Sequence, residues 1–238
     1  MRRKCRRRHH RWLSADRYRP RIPNEEAVGA GIKKSRIDRK HLFVTSKIWV
    51  DDSGYEPAKK AFQTTLDKLQ LEYLDLYLIH RPCGDVQGSW RAMEELHVAG
   101  KIRAVGVSNF DKAQFANLMA GASAKPAINQ VETHPFLQEK EQFEWLHADG
   151  VRMEAWAPFA EGRNGIFANP VLEEISKKHG KTRCTGCSAL APPTWSRRYS
   201  SFLKSRTSPR ESCHLRFLVD RGRHEQDLCP RRESQPIS

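Results

Sequence analysis

Five residues with chemically useful side chains stand at or near the ends of apolar runs: Lys47, His80, Asn109, Gln130 and Trp156. A lysine carries a positive charge, histidine and the two amides donate and accept hydrogen bonds, and an indole offers a flat face to another ring. Such residues also have ordinary structural uses. A lysine at a strand end is often a surface group, and a lone histidine after an apolar run is often a hydrogen-bonded core residue.

The surrounding sequence predicts five strand–helix units in succession. Short apolar runs predict strands at 41–47, 74–80, 102–109, 127–132 and 151–158. Segments with helical spacing follow each of them, at 56–71, 89–100, 111–121, 139–150 and 169–180. This alternation is typical of parallel strands joined by right-handed helical crossovers, as in a doubly wound sheet or a (β/α)8 barrel. No glycine-rich phosphate loop follows any strand, which counts against a dinucleotide-binding doubly wound sheet. A barrel would place all five residues at one mouth.

The charge of the chain is concentrated at its ends. The formal net charge is +14, which alone would suggest a nucleic-acid partner. Residues 24–182, however, hold 21 Lys and Arg against 22 Asp and Glu, so the basic excess lies in the two flanks. The sequence shows neither a secretory signal nor an apolar run long enough to span a membrane, and we expect a cytoplasmic protein with no membrane or nucleic-acid partner.

The cysteines do not indicate a metal site or a disulfide framework. Cys184 and Cys187 have the spacing of half a zinc site, but no second pair follows at a zinc-ribbon distance. We therefore expect no metal.

The central segments resemble the aldo-keto reductase family. The matching stretches are "NEEAVGAGIKKS", "LFVTSKIW", "LEYLDLYLIHRP", "GKIRAVGVSNF", "INQVETHPF" and "EAWAPFAEG". The resemblance covers residues 24–182 and implies an aldo-keto reductase (β/α)8 barrel that is incomplete, because strands 1, 2 and 8 are not recognisable. Residues 24–182 are therefore expected to form the barrel core between flanks 1–23 and 183–238.

The resemblance implies NADPH-dependent reduction of small aldehydes or ketones. Lys47 and His80 match the family's catalytic lysine and histidine. The lysine would ease proton release from a tyrosine, and the histidine would orient the carbonyl. Trp49 and Trp90 are expected to line the substrate pocket, and Cys83 and His134 to be structural. The residues expected to bind the cofactor are Ser108, Asn109, Gln130, Trp156, Ala157, Pro158, Phe159 and Gly162. The sequence does not indicate the oligomeric state.

Both flanks depart from the family. The family's D-x-x-x-x-Y pair should precede residue 24, but Asp16 is followed five places later by Arg21. Residues 11–23, back-translated with permitted codons and read one nucleotide later, spell V-G-Y-R-L-I-D-T-A-R-V-Y, which contains the missing pair. Residues 183–195 likewise become A-A-Q-V-A-L-R-W-H-L-Q-R-G. The single codon of Trp12 and Trp195 forces a glycine at two places where the family has one. The sequence therefore predicts that both flanks are read out of frame.

Three functions remain open at this point. The chain could be a carbonyl reductase impaired by its altered flanks, a non-catalytic barrel that binds a cofactor or partner without turnover, or a basic nucleic-acid-binding protein. The presence of Lys47 and His80 favours descent from an enzyme, whereas the missing tyrosine favours loss of turnover.

Overall fold

The structure, a computed structural model, describes residues 11–14 and 24–178. Six parallel strands form one sheet in chain order. The strands are β1 (Arg11–Ser14), β2 (Leu42–Ile48), β3 (Leu76–Ile79), β4 (Val105–Ser108), β5 (Ile128–Glu132) and β6 (Arg152–Trp156). The helices are α1 (Glu25–Ser35), α2 (Tyr55–Leu69), α3 (Val86–Val98), α4 (Lys112–Met119), α5 (Lys140–Ala148) and α6 (Pro170–Lys178). The five predicted strand–helix units are confirmed, and their order is that of an incomplete (β/α)8 barrel.

One short strand lies in the amino-terminal flank. Arg11–Ser14 pair in parallel with β2, from Arg11 opposite Leu42 to Ser14 opposite Thr45. Four residues are too few to show a strand period in the sequence, and the edge of β2 supplies the hydrogen-bonding partners. Residues 1–10, 15–23 and 183–238 of the two expected flanks lie outside the described residues, and with them Asp16 and the Cys184–Cys187 pair.

The sheet buries one face beneath the helices. Val44, Tyr77 and Val107 point to this face and share a large apolar core with helical residues such as Phe62 and Trp90. Side chains alternate between the two faces of a strand. The opposite face therefore carries a separate cluster made only of residues from the strands and the segment leading into β4: Leu76, Leu78 and Ile128, with Phe43 and Ala104 packed against them. In a barrel this second face is the interior.

A charged cluster fastens the amino ends of the strands. The Asp75 carboxylate, 3% exposed, accepts a hydrogen bond from the Val44 backbone N–H at 2.9 Å. It also pairs with the guanidinium groups of Arg39 at 2.7 Å and Arg103 at 3.0 Å. Both guanidinium groups lie over the ring of Tyr73, at 4.0 and 4.2 Å from its centroid. This cluster joins β2 and β3 to the segments before β2 and β4.

None of the described helices is long and apolar enough to cross a bilayer.

Helices α1 and α2 approach closely at a glycine. A Cβ added to Gly29 would lie 2.5 Å from the carbonyl oxygen of Leu69, the last residue of α2. Gly31, two residues later in the same helix, would meet nothing within 4 Å. The two glycines therefore differ in packing while sharing one helical environment.

We expect Gly29→Ala and Gly31→Ala to change stability in opposite directions. Gly29→Ala forces α1 away from α2 and should lower the free energy of unfolding by about 1–3 kcal/mol. Gly31→Ala should raise it by about 0.5–1 kcal/mol, because alanine favours helix and restricts the unfolded chain. Urea denaturation of both variants measures the difference. Equal stabilisation by the two substitutions would show that the α1–α2 contact is not as described.

Candidate active site

Lys47 and His80 lie on the helix-free face of neighbouring strands. Lys47 is paired in register with Leu78 of β3, and His80 follows that strand two residues later on the same face. The His80 backbone N–H donates to the Ile48 carbonyl at 3.2 Å, which continues the ladder beyond β3. The His80 ring stacks on Trp49, with the ring centroids 4.5 Å apart and the planes 25° from parallel. The structure therefore brings the expected catalytic pair and one expected pocket residue together.

Asn109 ties three strand ends to one another. Its φ of 63° lies in the left-handed region, which asparagine tolerates better than most residues. Its side-chain Nδ2 donates to the His80 carbonyl at 3.0 Å, and its Oδ1 accepts from Trp156 Nε1 at 2.8 Å. Its backbone N–H donates to the Gln130 carbonyl at 2.9 Å. The Asn109 side chain therefore fixes the position of the His80 backbone along the strand direction and the rotation of the Trp156 indole ring.

Ser108 and Gln130 differ in their remaining capacity to form hydrogen bonds. Ser108 is fully buried, its hydroxyl donates to the Gln130 carbonyl at 2.8 Å, and it accepts from Asn109 Nδ2 at 3.1 Å. The Gln130 side chain donates through Nε2 to Glu154 Oε1 at 2.9 Å. Its Oε1 is buried and has no hydrogen-bond partner among the described residues. A buried acceptor without a partner costs free energy. This oxygen could therefore accept a hydrogen bond from a bound ligand.

Glu154 lies in the candidate site and was not predicted from the sequence. It lies on β6 opposite Gln130, on the same face as Lys47. Burial raises the pKa of its carboxyl group, while the hydrogen bond from Gln130 and the positive charge of Lys47 act in the opposite direction. Side chains alternate between the two faces along β6, so Glu154 lies on the same face as Trp156. This alternation could have identified Glu154 as a charged residue on the interior face.

The loop after β6 has an unusual backbone. Left-handed φ values occur at Ala157 (52°), Ala160 (47°), Glu161 (52°) and Gly162 (79°). Phe159 is only 6% exposed and forms a small apolar core with Ala160, Ile166 and Leu172. The Gly162 N–H donates to the Phe159 carbonyl at 2.9 Å, so the loop closes on itself. Four loop residues were expected to bind the cofactor. Ala157, Pro158 and Gly162 have only backbone polar groups to offer a ligand, and the Phe159 side chain packs into the small apolar core.

Two expectations need correction. Trp90 is 1% exposed in the core beneath the sheet, with Nε1 donating to Glu94 at 2.9 Å, and does not line the open face with Trp49. It lies on α3, whose buried side turns toward the helix-covered face of the sheet. Cys83 is disulfide-bonded, whereas the sequence indicated no disulfide framework.

The sequence pattern of the Aldo/keto reductase family matches residues 14–183 of the chain. This match begins before the expected start at residue 24 and covers all five strand–helix units. The chain belongs to the aldo/keto reductase family.

Three relatives illustrate the likeness of this aldo/keto reductase to known proteins. It is 48% identical to the glyoxal reductase of Bacillus subtilis (strain 168) over 160 residues, 67% of this chain and 57% of that protein. It is 36% identical to the methylglyoxal reductase of Escherichia coli (strain K12) over 162 residues, 67% of this chain and 58% of that protein. A Bombyx mori aldo-keto reductase in complex with NADP superposes with a TM-score of 0.65 at 29% identity, covering 74% of this chain and 62% of that one. The chain thus spans a little over half the length of the curated relatives.

We expect Asn109→Ala to release the Trp156 indole of this aldo/keto reductase. Alanine removes the acceptor of the Nε1–H group and disfavours the left-handed backbone, whereas Asn109→Asp keeps an acceptor oxygen. The Trp156 indole N–H signal in a ¹H–¹⁵N spectrum, assigned with Trp156→Phe, should exchange with water faster by about tenfold or more in the alanine variant. Asn109→Asp should keep most of the protection. Unchanged exchange in Asn109→Ala would contradict the described bond.

Proposed function

We propose that this chain descends from an NADPH-dependent carbonyl reductase, binds NADP(H) at the strand carboxyl ends, and reduces aldehydes and ketones poorly. The observation that carries the proposal is the Oε1 of Gln130, which is buried without a hydrogen-bond partner among the described residues, while the Nε2 of the same amide is held by Glu154. The barrel core would be residues 24–182, as the sequence predicts. Small aldehydes of the glyoxal type are the first substrates to test, because two relatives are glyoxal and methylglyoxal reductases.

The residues at the strand ends fit a nicotinamide group. A carboxamide N–H would satisfy the buried Gln130 Oε1, and the half-buried Trp156 offers a flat face whose rotation Asn109 fixes. Ser108 and Asn109 would support this group from below, while Ala157, Pro158, Phe159 and Gly162 would form the loop around the rest of the dinucleotide. NADPH, when bound, supplies the hydride, and the residues of the chain supply position and charge.

Lys47 and His80 would act on the substrate. His80 stacks on Trp49, and Asn109 donates to its backbone carbonyl. In this position it would orient the carbonyl oxygen of a substrate. The Lys47 ammonium would favour charge that develops on that oxygen and would lower the pKa of an adjacent proton donor. Trp49 would form one wall of the substrate pocket.

The missing proton donor limits turnover. No D-x-x-x-x-Y sequence occurs anywhere in the chain, and general acid catalysis contributes about 10²–10⁴-fold to a rate. This observation favours a second candidate function, a protein that binds the cofactor without turnover.

A binding measurement tests the nicotinamide site. We expect NADP⁺ to bind the purified chain, and Gln130→Met, which keeps the side-chain length but removes the amide, to weaken binding by about tenfold. Gln63→Met is the matched control, since Gln63 is exposed on α2, where its side chain donates to Asp67 at 2.7 Å. Isothermal titration calorimetry measures both. Equal affinities in all three proteins would remove Gln130 from the site, and absence of binding would overturn the proposed function.

A turnover measurement tests the catalytic roles. The chain as written should oxidise NADPH with methylglyoxal very slowly, whereas a gene with both flanks restored to the shifted frame should encode an active reductase. In the restored protein, Lys47→Met should lower kcat by about 10²-fold or more, because the charge acts in the transition state. Lys112→Met, at an exposed position on α4, is the control. Rapid turnover by the unrestored chain, lost on Lys47→Met, would show that the missing tyrosine is not required.

A further inference from the structure

The pair Gln130–Glu154 joins β5 and β6 on the interior face. The two residues are register partners, and Gln130 Nε2 donates to Glu154 Oε1 at 2.9 Å. The other end of the same amide, Oε1, is buried without a partner among the described residues. The proposed function uses Gln130 but assigns nothing to the carboxyl group that holds it.

An ionised carboxylate fixes the direction of the neighbouring amide. A carboxylate only accepts hydrogen bonds, so Gln130 must turn its NH₂ group to Glu154 and its oxygen away. A protonated carboxyl group can also donate. It would then permit the amide to turn over and present its NH₂ group to the site instead of its oxygen.

We propose that Glu154 is a positioning residue that makes the nicotinamide site selective for ligands with an amide N–H, by holding the Gln130 oxygen toward the ligand. The proposal rests on the proposed function, because the ligand is the cofactor named there. It adds a residue that touches neither substrate nor cofactor and that acts through Gln130. It also makes the selectivity dependent on the protonation of Glu154.

The direction of the pH dependence follows from the surroundings of Glu154. Burial raises the pKa of this carboxyl group, and Lys47 and the Gln130 amide only oppose that shift. The amide direction is therefore fixed at high pH, and it is lost as the pH falls through a pKa above the ordinary value for glutamate. Four groups that share the interior face or the strand mouth also carry or can change charge: Lys47 on β2, His80 after β3, Arg152 on β6, and Glu132, whose Oε1 lies 3.4 Å from His134 Nε2.

Two dinucleotides separate the effect of Glu154 from these other charges. NADP⁺ carries a carboxamide, whereas its 3-acetylpyridine analogue has a methyl group in place of the NH₂. Both carry the same phosphates, so charge effects that are common to the two ligands cancel in the ratio of their dissociation constants. We expect the full chain to prefer NADP⁺ by about tenfold near pH 8, and by a progressively smaller factor at lower pH.

The variants Glu154→Gln and Glu132→Gln remove the same charge from neighbouring strands. Glutamine at 154 both donates and accepts, so the preference for NADP⁺ should be smaller than in the parent at about pH 8 and constant across the range. Glu132→Gln should keep the preference and its pH dependence, because Glu132 contacts His134 and not Gln130. A ratio that stays constant with pH in the parent chain, or that changes with pH equally in Glu154→Gln, would overturn the proposal.

A measurement without ligand distinguishes this inference from the proposed function. The side-chain ¹⁵N–H signals of Gln130 should shift with pH around the pKa of Glu154, and the shift should disappear in Glu154→Gln. If these signals titrate but neither dinucleotide binds, the coupling of the two residues stands, while the proposed function and the selectivity are both wrong. If NADP⁺ binds and the Gln130 signals do not titrate, only the role of Glu154 is wrong.

Discussion

The candidate site depends on the register of the parallel strands. Lys47 opposite Leu78, Ser108 opposite Gln130 and Gln130 opposite Glu154 place polar side chains from successive strands at similar heights on the interior face. A shift of one residue in any pairing would send that strand's site residue to the face beneath the helices. Hydrogen bonds between the strand ends, several of them made by Asn109, then hold the site residues at fixed distances from one another.

The sequence was sufficient for the middle of the fold. The five predicted strands are apolar enough to be buried, and each is followed by a helix with one apolar side, so alternation alone identified parallel pairing and crossovers. It failed at β1, because the four residues Arg11–Ser14 are held by their partner strand and not by a pattern of their own. Pairing between residues 31 positions apart, such as Arg11 and Leu42, cannot be detected in so short a segment.

The site was predictable where a residue type stands at a strand end, and unpredictable where direction or partner decides. Lys47, His80 and Gln130 lie at or near strand ends on the interior face, as the sequence predicted. Trp90 does not, because a helix periodicity does not say which side faces the sheet mouth. Alternation along β6 puts Glu154 on the interior face, but its importance depends on its contact with Gln130, a residue 24 positions earlier in the chain.

The charged cluster of Asp75, Arg39, Arg103 and Tyr73 lies at the opposite end of the strands from the site. Substitutions more than about 7–10 Å apart with no shared partners contribute nearly additively to stability. The chemistry at one end can therefore change while the anchor at the other end stays intact. A gene copy that lost its proton donor would still encode a folded sheet, on which selection could act for a binding role long after catalysis had ceased.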